Sequence, residues 1–173
     1  MLAAELVQQA SKRKKPMIVL KLDFRKAFDS VSWDALLQIF QARGFWSRWN
    51  HWISNIFTSS SSQVLLNGQI GEKIQSKCGL RQGDPLSPYL FLICTECLTA
   101  LLENAKEMGN ISSIKVSREA PSGVNLLFVD DFLILMRANP RSADELKSLL
   151  DLYCAASGQM VSVEKSSIFF SPN

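Results

Sequence analysis

Apolar positions recur along the chain in two rhythms. Met17-Ile18-Val19-Leu20-Lys21-Leu22 is a short, nearly continuous apolar run that closes on Asp23, and it predicts a buried strand. Trp33, Leu36, Leu37 and Phe40 follow the i, i+3, i+4, i+7 spacing of a helix with one buried face. Ser32 stands as its N-cap and Gly44 as its stop. Trp49, Trp52, Ile53 and Ile56 repeat that spacing in a second helix. Polar Ser59 to Ser62 breaks the rhythm. Gln63-Val64-Leu65-Leu66 then runs into Asn67-Gly68, which supplies the two φ > 0 positions of a type I′ turn and so predicts a β-hairpin. A Gly- and Pro-rich approach leads to a helix over about 88–103, and strand-like segments at 111–117 and 124–128 flank Pro121-Ser122-Gly123. Ser142-Ala143-Asp144-Glu145 has the form of a capping box opening a helix with Leu146, Leu149, Leu150 and Tyr153 on one face and Gly158 at its end. A short strand pair around Val161 and 168–170 completes the pattern. The first ten residues predict a further helix that starts without a cap, as in a fragment cut from something longer. No repeat, low-complexity segment or linker interrupts the chain, so the pattern is that of one α+β domain over residues 1–173.

Composition narrows the classes. With 173 residues, 47% of them apolar, the chain can bury one sizeable core. A net charge of +3 suits contact with a polyanion without demanding it. The densest basic run, Lys12-Arg13-Lys14-Lys15, fits a solvated helix end and a phosphate contact equally. Among the four cysteines, Cys94 and Cys97 have C-x-x-C spacing but lie in an apolar helical stretch with no second pair or histidine nearby. They are expected as core cysteines rather than zinc or redox groups, and imply a reducing intracellular compartment, nuclear or cytoplasmic. His51, the single histidine, falls outside its helix's apolar stripe and is expected at the surface. No apolar segment reaches the roughly 18 residues of a membrane helix, and the N-terminus has no signal-peptide pattern.

The candidate chemistry lies in carboxylates. Leu126-Leu127-Phe128-Val129-Asp130-Asp131-Phe132-Leu133-Ile134-Leu135-Met136 sets two adjacent aspartates inside an apolar run. Buried together they repel unless a cation compensates them. A tight hairpin between two buried strands, projecting both acids into a metal site, resolves the conflict; so, taken alone, does an ordinary Asp-Asp turn. Asp23 also ends an apolar strand. It can share metals with Asp130 only if their strands are neighbours in one sheet, the geometry of a two-metal phosphoryl-transfer site. A third segment, Gly79-Leu80-Arg81-Gln82-Gly83-Asp84-Pro85-Leu86-Ser87-Pro88, combines glycines that permit close approach to a ligand with the donors of Arg81 and Gln82. By itself it reads equally as a helix entry.

Taken in order, Leu22-Asp23-Phe24-x-Lys26-Ala27-Phe28-Asp29, Gly79 through Pro88, and Phe128-Val129-Asp130-Asp131 resemble motifs A, B and C of reverse transcriptases, most nearly those of LINE-type (non-LTR) retrotransposons such as those of plant genomes. Gln63 through Gly68 resembles the hairpin before motif B, and Ser157-Gly158-Gln159 through Lys165-Ser166 resembles motif D. The resemblance implies a right-hand polymerase palm, an antiparallel sheet backed by helices, with part of the fingers. It implies RNA-templated addition of deoxynucleoside triphosphates to a DNA primer's 3′-hydroxyl, with two Mg²⁺ ions for which Mn²⁺ can substitute. Asp23, Asp130 and Asp131 would bind metal and carry catalysis, joined by the Phe24 carbonyl. Phe28 would lie under the incoming sugar and reject a 2′-hydroxyl. Arg81, Gln82 and Gly83 would line the nucleotide and template pocket, and Lys165 would assist the leaving pyrophosphate. Asp29 is expected in a structural role. Two residues depart from the family's pattern: Val129 where alanine is commoner, and Ser162 where asparagine is. Finger motifs, thumb, endonuclease and RNase H sequences are not recognisable within 1–173, so the chain alone is expected to be weak or inactive. The competing reading is an inactive retroelement remnant or nucleic-acid-binding module that keeps the fold and motifs.

Overall fold

The structure, a computed structural model, describes residues 16–112, 125–128 and 131–171, with 125–128 and 131 described by their backbone alone. In chain order the elements are β1 (Met17–Leu22), α1 (Trp33–Ala42), α2 (Ser47–Thr58), β2 (Ser61–Leu66), β3 (Gln69–Gln75), α3 (Ser87–Glu107), β4 (Asn125–Phe128), β5 (Asp131–Arg137), α4 (Pro140–Ser157) and β6 (Ser167–Phe170). The expected N-terminal helix, the basic run at 12–15 and most of the strand expected at 111–117 lie outside the described residues. Ile111 itself is a buried core residue just beyond α3.

A four-stranded sheet in the order β4-β5-β1-β6 organises the molecule. The apolar run of β1 is explained by its central place. It pairs antiparallel with β5, from Met17↔Arg137 to Leu22↔Phe132, and with β6, from Ile18↔Phe170 to Lys21↔Ser167. Alternation along the strand turns Ile18, Leu20, Leu22 and Phe24 to one face. There, with Phe132, Ile134 and Met136, they pack on Leu98 and Leu102 of α3 and Leu146 and Tyr153 of α4. A second core joins Leu36 and Phe40 of α1, Ile53 and Phe57 of α2, and Leu90, Phe91 and Cys94 of α3. Helix α3 thus belongs to both cores. Each such side chain, once buried, contributes about 1.5–3 kcal/mol. This antiparallel sheet with helices packed against it is the α+β palm that the resemblance implies.

Local signals held in most places. Ser32 caps α1, its hydroxyl accepting from the Ala35 N–H at 3.3 Å. Asn67 and Gly68 have φ of 50° and 81°, as the hairpin turn requires, and Leu65 pairs with Ile70 across it. His51 is exposed, as expected. Cys94 is fully buried and Cys97 packs partly buried against the core, whereas Cys78 is exposed. Three expectations need correction. The N-cap of α4 is Asn139, whose side chain accepts from the Ser142 N–H at 2.8 Å. Ser142 is buried one turn inside the helix and bonds to Ser112 and Asn110 instead, so no capping box forms. The buried stripe of α2 is Trp49, Ile53 and Phe57, leaving Trp52 and Ile56 at the surface. Finally, Val161 and β6 do not pair with each other. Both lie along the same edge of β1, Val161 bridging Phe24 and Ile168 facing Leu20, with residues 163–165 bulging between them.

Candidate active site

The candidate carboxylates are set by strand ends. Asp23 directly follows Leu22, and Asp131 directly precedes Phe132, the residue paired with Leu22. Two aspartates far apart in sequence therefore leave adjacent ends of neighbouring strands, as metal sharing requires. Asp131 also pairs with Phe128 of β4, so β4 and β5 form the expected tight hairpin. Val129 and Asp130, which join them, lie outside the described residues, and the side chain of Asp131 is not described.

Asp23 is held from both sides of its peptide. Its N–H donates to the Ser166 hydroxyl at 3.1 Å, and its carbonyl accepts from the Ser162 N–H at 2.8 Å. Strand alternation places its half-buried carboxylate on the face away from the Ile18-Leu20-Leu22 core. Beside it, the Phe24–Val161 bridge is closed by bonds of the flanking residues, Ser162 to Asp23 and Arg25 to Met160. In such a pair the central residue's own N–H and C=O point away from the partner, so the Phe24 carbonyl faces the β5 side. The Phe24 ring stays in the core against Tyr153, 5.7 Å between centroids. The backbone of Ser162 ties this edge together: its N–H holds Asp23, and its carbonyl accepts from Lys165 and Ser166.

The turn after Asp23 is clamped by the segments that resemble motifs B and D. Leu80 N–H donates to the Phe28 carbonyl and Gly79 N–H to the Val31 carbonyl, each at 2.8 Å. Gln82 Nε2 reaches Asp29 Oδ1 at 3.4 Å. From the other side, the Ser32 N–H donates to Ser157, and Gln159 Nε2 donates to the Ala27 carbonyl at 3.1 Å. A Cβ on Gly79 would lie 2.5 Å from the Asp29 carbonyl oxygen, so only glycine permits this approach. The half-buried Phe28 stacks on Phe91 of α3, 4.5 Å and 13° apart, which fixes its ring. Asp29 meets this loop through both its carbonyl, which accepts from the Cys78 thiol at 3.6 Å, and its carboxylate. Gly83, with φ +89° and open space around its Cα, stays exposed beside Gln82. Arg81 directs Nε to the Ser60 hydroxyl at 3.0 Å, tying the loop to the end of α2. Lys165 is exposed on the 163–165 bulge, next to the serine that holds Asp23. Thus Asp23, Phe28, Gln82 and Gly83 belong to one clamped assembly, and Lys165 is joined to it through Ser166.

Sequence reasoning assigned no role to Gln159. It is buried, accepts the Tyr153 hydroxyl, and bonds to Ala27 through its amide. A glutamine after a helix-ending glycine carries no signal of burial, because its partners come from remote segments. Burial pushes the Tyr153 hydroxyl well above its ordinary range. It also raises the neighbouring Cys94 thiol to about 11, an effect opposed by its bond to Tyr153. Among the described residues no three His, Cys, Asp or Glu side chains gather as a metal cluster, and no helix is long and apolar enough to cross a membrane.

Comparison with known proteins bears on the same segments. Residues 2–172 match the family model described as reverse transcriptase (RNA-dependent DNA polymerase). The Pol polyprotein of a type-1 R2 retrotransposable element from Popillia japonica is 33% identical over 118 residues, covering 68% of this chain and 18% of that protein. An uncharacterized mitochondrial protein of Arabidopsis thaliana is 48% identical over 67 residues, covering 39% of this chain and 55% of that protein. The chain therefore spans only part of either relative. Apo telomerase from Candida tropicalis, truncated from its C-terminal domain, shares the fold, with a TM-score of 0.68 over 98% of this chain and 34% of that one at 14% identity. With its strand-end aspartates, clamped loop and near-complete family match, this chain belongs to the reverse transcriptases, and among them to the non-LTR retrotransposon type.

Proposed function

We propose that this chain is the catalytic palm of an RNA-directed DNA polymerase, adding deoxynucleotides to a DNA 3′ end on an RNA template. The observation that carries the reading is the exit of Asp23 and Asp131 from adjacent ends of β1 and β5. The donor set suits Mg²⁺, with Mn²⁺ as substitute: hard carboxylate oxygens from Asp23, Asp130 and Asp131, and a Phe24 carbonyl turned to the β5 side. When bound, two such ions would lower the pKa of the primer hydroxyl and stabilise charge on the transferring phosphate.

The chain's own residues do the rest. Ser166 and Ser162 hold the Asp23 backbone, so its carboxylate is oriented before substrate arrives. Phe28, fixed against Phe91, closes the space a 2′-hydroxyl would need. Gln82, Gly83 and Arg81 border the nucleotide and template base. Lys165 supplies a mobile cation, or a proton, to the leaving pyrophosphate. RNA as template fits a related fold: a Candida tropicalis telomerase structure is a complex with a fragment of telomeric RNA. An intracellular setting, nuclear or cytoplasmic, supplies both template and primer.

Primer extension on poly(rA)/oligo(dT) with Mg²⁺ or Mn²⁺ tests the reading. Incorporation should require the divalent ion and fall roughly 10²-fold or more in Asp23→Asn and in Asp130→Ala. Equal incorporation by the variants would sink the metal assignment. Binding of the hybrid without incorporation under either ion would favour a module that has kept the motifs but not turnover.

A further inference from the structure

The outer face of α2 is a cost that the fold leaves standing. Trp46, at its N-cap, is 82% exposed, and Trp52 is 50% exposed. Arg48, Trp52 and Ile56 form one ridge at i, i+4, i+8, beside the Trp49-Ile53-Phe57 stripe that enters the core. Large rings in water mark a partner surface. The Arg48 guanidinium lies 4.9 Å from the centre of the Trp52 ring, holding that ring in place with a cation over it.

Charge and polarity indicate the partner. From residue 46 to 81 the chain carries Arg48, Lys73, Lys77 and Arg81 against the single acid Glu72, an excess as large as the +3 of the whole chain. The β2–β3 hairpin that bears Lys73 is tied at its base to the end of α2 by Ser76 N–H to the Ser60 carbonyl and Gln75 to Thr58. His51, Ser54 and Asn55 intersperse the aromatic ridge with hydrogen-bonding groups. His51 and Asn55 satisfy each other at 3.1 Å, but a second apolar protein face would leave the Arg48 guanidinium without a counter-charge. Bases offer both a π face and polar edges, and their backbone brings negative charge.

We propose that the α2 ridge is a stacking surface for single-stranded RNA, built on Trp46 and Trp52 with Arg48 at its edge and distinct from the strand-end carboxylates. Ring stacking tolerates any base, so the surface would hold a strand without reading its sequence. The proposal does not depend on polymerase turnover.

Tryptophan fluorescence titration with a short single-stranded RNA of mixed sequence, in the absence of divalent ions, tests it. Saturable quenching is expected. The double variant Trp46→Ala, Trp52→Ala should bind roughly ten- to a hundredfold more weakly, followed by fluorescein-labelled RNA anisotropy. Arg48→Ala should reduce the salt dependence by about one phosphate contact. Leu152→Ala, at an exposed apolar position on α4, should bind as the parent chain does, which separates this surface from exposed apolar residues elsewhere. Circular dichroism and urea midpoints verify folding of the double variant; if it does not fold, the single variants Trp46→Phe and Trp46→Ala, at a ring that makes no core contact, replace it, with binding kept by the first and weakened by the second. The proposal is overturned if the parent chain does not bind single-stranded RNA or if folded Trp46 and Trp52 variants keep full affinity. It is equally overturned if those variants lose binding to phosphatidylserine vesicles, or self-association, while RNA affinity is unchanged.

Discussion

A methyl group added at Gly79 would meet the Asp29 carbonyl oxygen at 2.5 Å and its Cα at 2.9 Å, in a backbone already at φ +86°. At Gly83 the φ is +89°, yet nothing lies within 4 Å. The two glycines of one loop therefore predict different penalties. Gly83→Ala should cost only the left-handed backbone, about 1–2 kcal/mol, whereas Gly79→Ala should cost about 3 kcal/mol or more because the motif A turn must shift as well. Urea denaturation of the two variants checks this; equal losses would contradict the close approach. From sequence, both glycines read as places where backbone could come near a ligand. Only Gly83 keeps that freedom, since Gly79 spends its missing side chain on Asp29. Loop composition shows that contact is close, not with what. The carboxylates were more legible, because an acid at the end of an apolar strand is costly wherever it lies unless chemistry compensates it.

Elements and tight hairpins emerged where the pattern indicated them; details decided by distant partners did not. Asn139 caps α4 although Ser142 has the better sequence signature, because Pro140 can occupy the first turn and Ser142 is drawn into the core by Ser112 and Asn110. Asn139→Ala should therefore destabilise the domain by about 1 kcal/mol, read as a lowered urea midpoint. No change would return the cap to Ser142. The strand character of 168–170 was plain, but its partner was not, since the choice between Val161 and β1 rests on residues some 150 positions away. In α2 the apolar residues outnumber the places in the core, and spacing alone could not tell Phe57, which enters, from Trp52, which does not.

For the molecule as a whole, a polar contact between the two cores links stability to alkaline pH. Cys94 and Tyr153 lie 3.8 Å apart, both neutral and both raised by burial. An unfolded chain releases the thiol proton near 9.0, while the folded one keeps it to about 11. The folded state therefore binds more protons in that window, so stability is complete below about pH 9 and declines as pH rises toward 11. Urea midpoints measured across pH 8 to 11 should fall, and Cys94→Ala should make the fall shallower; an identical slope would show that this thiol is not the group responsible.

The sheet order has a consequence in time. Strand β1 is made before its partners β5 and β6, which come near the end of the described residues, while the core around α1, α2 and the start of α3 is complete without them. Until those late strands emerge, an apolar strand waits with both edges open, a template for pairing with the wrong chain. Closing it requires long loops, which makes the step slow relative to the helical half. The neighbouring strand ends that carry Asp23 and Asp131 are therefore assembled only when the sheet is zipped, and a nascent chain interrupted before that point is an aggregation hazard.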